Sequence, residues 1–192
     1  SDLDEVLKSR KSPMGRIRTN GQLALSEAGQ AGSGSTEFLK LLPELVGQIH
    51  RAKNNKALAD WFVNGVSKWL TTAKRAAFFV VDHEAGRIRL QAHRPALKPI
   101  FSDTLAHRAL EIRTGYSWQQ VGKEECVRRL SMNAGLYVPM IFGGEELGLL
   151  CVEDTDEGAE FSEKDLAALM VVGQLLSLAV RHHLAGEAVA VD

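Results

Sequence analysis

Apolar and polar residues along this chain fall into blocks with distinct periods. Phe38, Leu41, Leu42, Leu45, Val46 and Ile49 recur at intervals of three and four, the period of an amphipathic helix. Asn54-Asn55 interrupts that pattern. A second helix follows, carrying Leu58, Trp61, Phe62, Val66, Trp69 and Leu70 on one broad face. The run AAFFVVD at 76–82 is short, apolar and bounded by charge, which predicts a buried strand. His83-Glu84-Ala85-Gly86 is a turn, and 87–93 alternates like a half-buried strand, so the two strands make a hairpin. Pro95 and Pro99 mark a loop, and Ser102 is an N-cap for a helix over 103–112 that Gly115 closes. YSWQQ at 116–120 is a brief extended piece, and 124–132 a further short helix. Strands at 136–142 and 146–153 are joined by Gly143-Gly144, a strong two-residue turn signal. Ser162 with Asp165 forms a variant capping box that opens a last helix running to about 184.

This order places two hairpins among helices, which implies an α+β fold built on an antiparallel sheet. The long helices cover one face and the short middle helices the other. Residues 37–186 make up the domain. Residues 1–36 read as a linker or the tail of an upstream module, with a Gly/Ser/Ala stretch, SEAGQAGSGST, and residues 187–192 as a C-terminal tail. Five basic residues between Lys8 and Arg18 are offset by Asp2, Asp4 and Glu5 and read as a solvated segment. Ile17, Leu23 and Leu25 leave room for a short strand there.

The bulk numbers narrow the function. The 192 residues have a formal net charge of −1, against a dedicated nucleic-acid surface. Two cysteines, Cys126 and Cys151, make no disulfide framework and have no zinc-type spacing, and a reducing cytoplasm is the expected setting. No signal peptide is visible after the opening Ser-Asp-Leu, and the chain is expected to be a piece of a longer protein. The apolar run 166–180 contains Gln174 and is shorter than the roughly 20 residues that span a bilayer. His107 and Glu111 stand four apart on a helix, but nothing completes a metal set, and His182-His183 suit a helix end. No Gly-rich phosphate loop or serine-nucleophile motif is present.

The last helix carries two apolar stripes. Leu166, Leu169, Met170, Gly173, Leu176, Val180 and Leu184 form one, and Val171, Val172, Leu175, Leu178 and Ala179 form the other. A helix apolar nearly all round needs cover beyond its own sheet. The first long helix, packing beside it, supplies some of that cover, and the expectation for the rest is a homodimer through the terminal helices, with burial inside one thick monomer as the alternative.

Three blocks together resemble the GAF domain family: FFVVD at 78–82, YVPMIFGGEELGLLCVED at 137–154 and FSEKDLAALMVVGQLLSLAV at 161–180. Pro139, the Gly148-Leu149-Leu150 step and the Phe161, Asp165, Leu166, Leu169 spacing carry the likeness. The resemblance implies a PAS-related antiparallel sheet, with long terminal helices on one face and short helices over a pocket on the other. It further implies a regulatory or sensor role in a signalling protein. The subfamilies with known chemistry fit less well. Asn55-Lys56 comes too early for the cyclic-nucleotide pattern, Cys126 lacks the neighbouring His of bilin binders, and the sulfoxide reductases of this fold use more cysteines. Fold alone does not settle function. The candidate pocket residues are Arg94, Arg108, Trp118, Cys126, Met132, Asn133 and Tyr137, on the segments that surround the family's cavity. Trp118 would supply an apolar wall and Arg108 would neutralise an anion. Glu124 and Glu125 disfavour a Cys126 thiolate, whereas Arg128 and Arg129 pull the other way. No cofactor is identified. A ligand-free dimerisation spacer in which Trp118 and Met132 fill the cavity, and a small redox enzyme, are the alternatives.

Overall fold

The computed structural model describes residues 15–19, 34–95, 102–120 and 132–189. In chain order the elements are β1 (Gly15–Thr19), α1 (Gly34–Arg51), α2 (Asn55–Gly65), a 3-10 turn (Val66–Lys68), β2 (Arg75–Asp82), β3 (Arg87–Arg94), α3 (Asp103–Ile112), β4 (Tyr116–Gln120), β5 (Ala134–Phe142), β6 (Glu145–Asp154) and α4 (Glu163–Val189). The six strands form one antiparallel sheet in the order β1-β4-β5-β6-β2-β3.

Local chemistry accounts for the element ends. Asn54 caps α2, its side chain accepting from the Ala57 amide at 2.9 Å, so the asparagine pair that interrupts the helical pattern starts the next helix. That helix stops at Gly65, short of the single broad face expected to run to Leu70. Phe62, Val66 and Leu70 remain buried across the 3-10 turn. Ser162 and Asp165 close a reciprocal box: the Asp165 amide donates to Ser162 Oγ at 3.2 Å, and the Ser162 amide donates to Asp165 Oδ2 at 2.8 Å. Gly143 and Gly144 both hold positive φ (59° and 84°), the geometry of a type I′ hairpin turn that side-chain-bearing residues resist.

The sheet separates two cores, as strand alternation requires. On one face α1, α2 and α4 cover Phe78, Val80, Leu136, Val138, Leu150 and Val152. On the other face α3 packs over Ala77, Phe79, Tyr137, Leu149 and Cys151. The expected helix at 124–132 lies outside the described residues, apart from Met132.

Two expectations change in detail. Residues 15–19, within the stretch read as linker, pair with β4 as an edge strand. The second stripe of α4 is covered in part by α1, as expected of a helix apolar on two sides. Val172 is fully buried and Ala179 nearly so, because α1 packs alongside α4, while Val171 and Leu178 stay 43% and 46% exposed. His183 also departs from a free helix-end role. Its ring nitrogens face Asn55 Oδ1 at 3.0 Å and the Ala52 carbonyl at 3.1 Å, tying α4 to the α1–α2 corner.

Candidate functional site

The face under α3 is built from large side chains set by strand alternation. Tyr116 and Trp118 come from β4, Tyr137 from β5, and Leu149 and Cys151 from β6. Continuing the β6 alternation by two residues puts Glu153 on the same face, and Glu153 is completely buried. The register of four strand pairs then lines up one row across the sheet. Ile17 pairs with Trp118, Trp118 with Gly135, Gly135 with Glu153, and Glu153 with Arg75. Side chains in such a row share a face.

Within this row Gly135 contributes only space. A Cβ there would lie 2.8 Å from Tyr137 Cε2 and 3.0 Å from its hydroxyl, so the Tyr137 ring lies over the glycine. Its hydroxyl donates to Glu153 Oε1 at 2.8 Å. Met132 Sδ lies 3.5 Å from the same hydroxyl, whose single proton is committed to the carboxylate. Tyr116 and Tyr137 stack with centroids 5.3 Å apart and planes 23° from parallel. Tyr116 donates to the Leu105 carbonyl, which ties β4 to α3.

Several polar atoms on this face lack partners. Glu153 Oε2, Trp118 Nε1 and Arg108 Nε are buried and have no hydrogen bond. Arg75 Nη1 approaches Glu153 Oε2 to 3.8 Å, an ion pair too long for a hydrogen bond. Burial pushes the Glu153 carboxyl up to about 7, against the Tyr137 hydrogen bond and the Arg75 charge, which pull it down. Burial and the neighbouring Glu153 charge hold the Tyr137 hydroxyl and the Cys151 thiol well above their usual ranges.

The candidate residues separate in space. Trp118, Met132 and Tyr137 come together in this cluster and fill it, each 2% exposed or less. Arg108 stands on α3 with its Nε buried. Asn133 sits at the start of β5, its amide donating to the Thr155 carbonyl at 2.7 Å. Arg94 is exposed and reaches the Asn64 carbonyl on α2 at 3.4 Å, so the structure does not bring it into the cluster. Cys126 lies outside the described residues. Glu153, Gly135 and Arg75 were missed. The signal for Glu153 was the two-residue period running from Leu149 through Cys151.

A recess on the other face of the sheet, behind β4, is lined by Arg18, Ser117, Trp118, Gln119, Glu160 and Phe161 and holds about 10 Å³, room for one water. Arg18 of β1 pairs with Glu160 at 2.8 Å across it. Among the described residues no three His, Cys, Asp or Glu side chains gather in a metal-holding group. No described helix is long and apolar enough to cross a membrane.

Comparison with known proteins agrees with this architecture. The family model for the GAF domain matches residues 68–180. Among solved structures, the GAF domain of a phosphoenolpyruvate-protein phosphotransferase from Coxiella burnetii aligns with a TM-score of 0.66 at 20% identity, covering 82% of this chain and 99% of that one. Free methionine-R-sulfoxide reductase from Neisseria meningitidis, solved with its substrate, aligns with a TM-score of 0.65 at 13% identity, covering 82% and 96%. The GAF domain of a putative sensor histidine kinase from Pseudomonas syringae pv. tomato aligns at 0.61 and 12% identity, covering 81% and 94%. At these identities the likeness concerns the fold. No curated protein sequence matches the chain.

Proposed function

The chain belongs to the GAF domain family, and on that premise we propose that it is a non-catalytic regulatory domain of a larger signalling protein. In this reading a small ligand engages the face that holds Glu153, and the response passes through the terminal helices to a second copy. Buried Glu153 carries the reading. A desolvated carboxylate with one unpartnered oxygen costs stability. A domain serving only as a spacer has no use for that cost. The packing of Trp118, Met132 and Tyr137 against one another is what favours the spacer. Those side chains explain a filled face, but they leave the buried carboxylate unexplained.

A redox enzyme is disfavoured at Cys151. That thiol is fully buried and its pKa is raised, the reverse of what a reactive thiolate needs. A free, buried thiol also suits a reducing cytoplasm. Val171 and Leu178 support the dimer. They stand seven residues apart on α4, two turns of one outward face, with half-buried Leu175 between them. A second α4 laid alongside would cover them in a helical bundle.

Thermal melting of the chain against a library of small metabolites tests the ligand half. One chemical class is expected to raise the melting temperature by several degrees, and Glu153→Gln is expected to abolish that rise. A chain that no member of the library shifts would instead be the spacer.

A further inference from the structure

β1 closes one edge of the sheet, and every residue of Gly15–Thr19 faces a residue of β4 in antiparallel register. Backbone alternation assigns the bonds between them. The Gln120 amide donates to the Asn133 carbonyl at 2.9 Å, on the β5 side of β4. Trp118 and Tyr116, two and four positions back, turn their backbone groups the same way, towards Gly135 and Tyr137. The N–H and C=O groups of Ser117 and Gln119 therefore point away from β5 and pair with Arg18 and Arg16 of β1.

Side chains hold β1 at one point on each face. Ile17 packs against the cluster under α3 and stands opposite Trp118 in a non-hydrogen-bonded pair, where side chains approach most closely. On the other face Arg18 meets Glu160 at 2.8 Å, in the stretch that leads into α4. Gln119 Nε2 donates to the adjacent Ala159 carbonyl at 3.3 Å. Both holds on β1 are modest. Ile17 is only half-buried, and an ion pair between partly exposed side chains adds little. β4 has anchors of its own: it pairs with β5, Tyr116 stacks on Tyr137, and the Tyr116 hydroxyl donates to the Leu105 carbonyl.

We propose that the outer edge of β4 is a peptide-docking site and that segment 15–19 is its tethered ligand, leaving and returning while the rest of the sheet stays folded. Recognition asks for an extended backbone, an apolar side chain opposite Trp118 and, at the next position, an arginine for Glu160. The occupant is this chain's own segment. Occupancy decides whether the N-terminal stretch is gripped by the domain. Glu160 stands two residues before Ser162, the cap of α4, so the grip lies beside the first turn of that helix. The docking site stands with or without a small ligand under α3.

Amide exchange on the 15N-labelled full chain tests this. Ser117 and Gln119 report on β1, and Trp118, bonded towards β5, is the reference. In the wild type the protection factors of Ser117 and Gln119 should lie at least about tenfold below that of Trp118, because opening β1 frees those two amides without opening the sheet. Ile17→Asp should lower them about tenfold further, the worth of one partly buried apolar side chain, and leave Trp118 unchanged. A synthetic peptide of residues 12–22, in excess, should restore the lost protection in that variant. The same peptide carrying Ile17→Asp should not, and one carrying Arg18→Glu should bind about threefold more weakly. If Ile17→Asp does not fold, Arg18→Glu in the full chain serves as the milder release. Exchange of Ser117 and Gln119 only together with Trp118 in the wild type would make β1 an integral strand and overturn the proposal. Failure of the unaltered peptide to restore protection would overturn it equally.

Discussion

Tyr137 donates its hydroxyl proton to Glu153 Oε1 at 2.8 Å, inside the buried face of the sheet under α3. The two residues sit on neighbouring strands, with Gly135 directly opposite Glu153. The contact requires that glycine, because any side chain there would meet the tyrosine ring. It leaves the second carboxylate oxygen with only a distant guanidinium. The pair is therefore half satisfied, a state that a low-dielectric interior penalises.

Stability should fall as pH rises. The Glu153 carboxyl moves from 4.5 in the unfolded chain to about 7 in the fold. Between those values the folded state holds the proton more tightly, so its contribution is complete below pH 4.5 and lost as pH climbs through 7. The loss is on the order of 3 kcal/mol. Urea unfolding at pH 5 and pH 8, on wild type and Glu153→Gln, isolates this group: the drop should be present in the first and flattened in the second. Equal slopes would mean that Glu153 titrates normally.

Gly135→Ala should break the Tyr137–Glu153 hydrogen bond while leaving both partners' chemistry in place. The new methyl carbon would sit 2.8 Å from Tyr137 Cε2, and the ring must move. Overpacking of this kind costs roughly 1–3 kcal/mol. The carboxyl 13C titration of Glu153 should shift to still higher pH, because the hydrogen bond that stabilises its charged form is gone. An unchanged titration would show that the tyrosine had kept its place.

Val171→Asp with Leu178→Asp should separate association from folding. Both side chains are more than two-fifths exposed in the monomer, so its own stability should stay within about 0.5 kcal/mol. Sedimentation velocity should show a dimer for the wild type and a monomer for the double variant. A wild-type chain that stays monomeric at high concentration would contradict the dimer.

The sequence carried most of the fold because its elements are locally specified. Asn54, Ser102 and Ser162 cap helices, and Gly143-Gly144 turns a hairpin. The residues of 76–82 and 146–153 alternate between two faces that both turned out to be buried. β1 was harder to read. Gly15–Thr19 is a five-residue strand with two arginines and one large apolar residue, Ile17, and its partner β4 lies about a hundred positions away. Trp118, Met132 and Tyr137 were identifiable as one cluster, yet whether they line a void or fill it depends on packing that no local pattern encodes. Glu153 was lost because it ends the strand read over 146–153 and opens the acidic stretch EDTDE, where a carboxylate is ordinarily solvated. The strand register and its complete burial show that its side chain faces inward, as the two-residue period from Leu149 through Cys151 continues to it. Arg94 was misjudged for the converse reason. It is the last residue of β3 and opposes Ala76, which belongs to the helix-covered face.

The central claim is that Glu153 is held in place for recognition, at a cost to stability. The most direct test is the unfolding free energy at pH 8 of Glu153→Leu combined with Tyr137→Phe, which replaces the half-satisfied pair by apolar groups of similar size. Such replacements are commonly neutral or stabilising by about 1–4 kcal/mol. The account predicts a double variant at least as stable as wild type. A loss of about 3 kcal/mol or more would make the pair a structural element of the fold and contradict the claim.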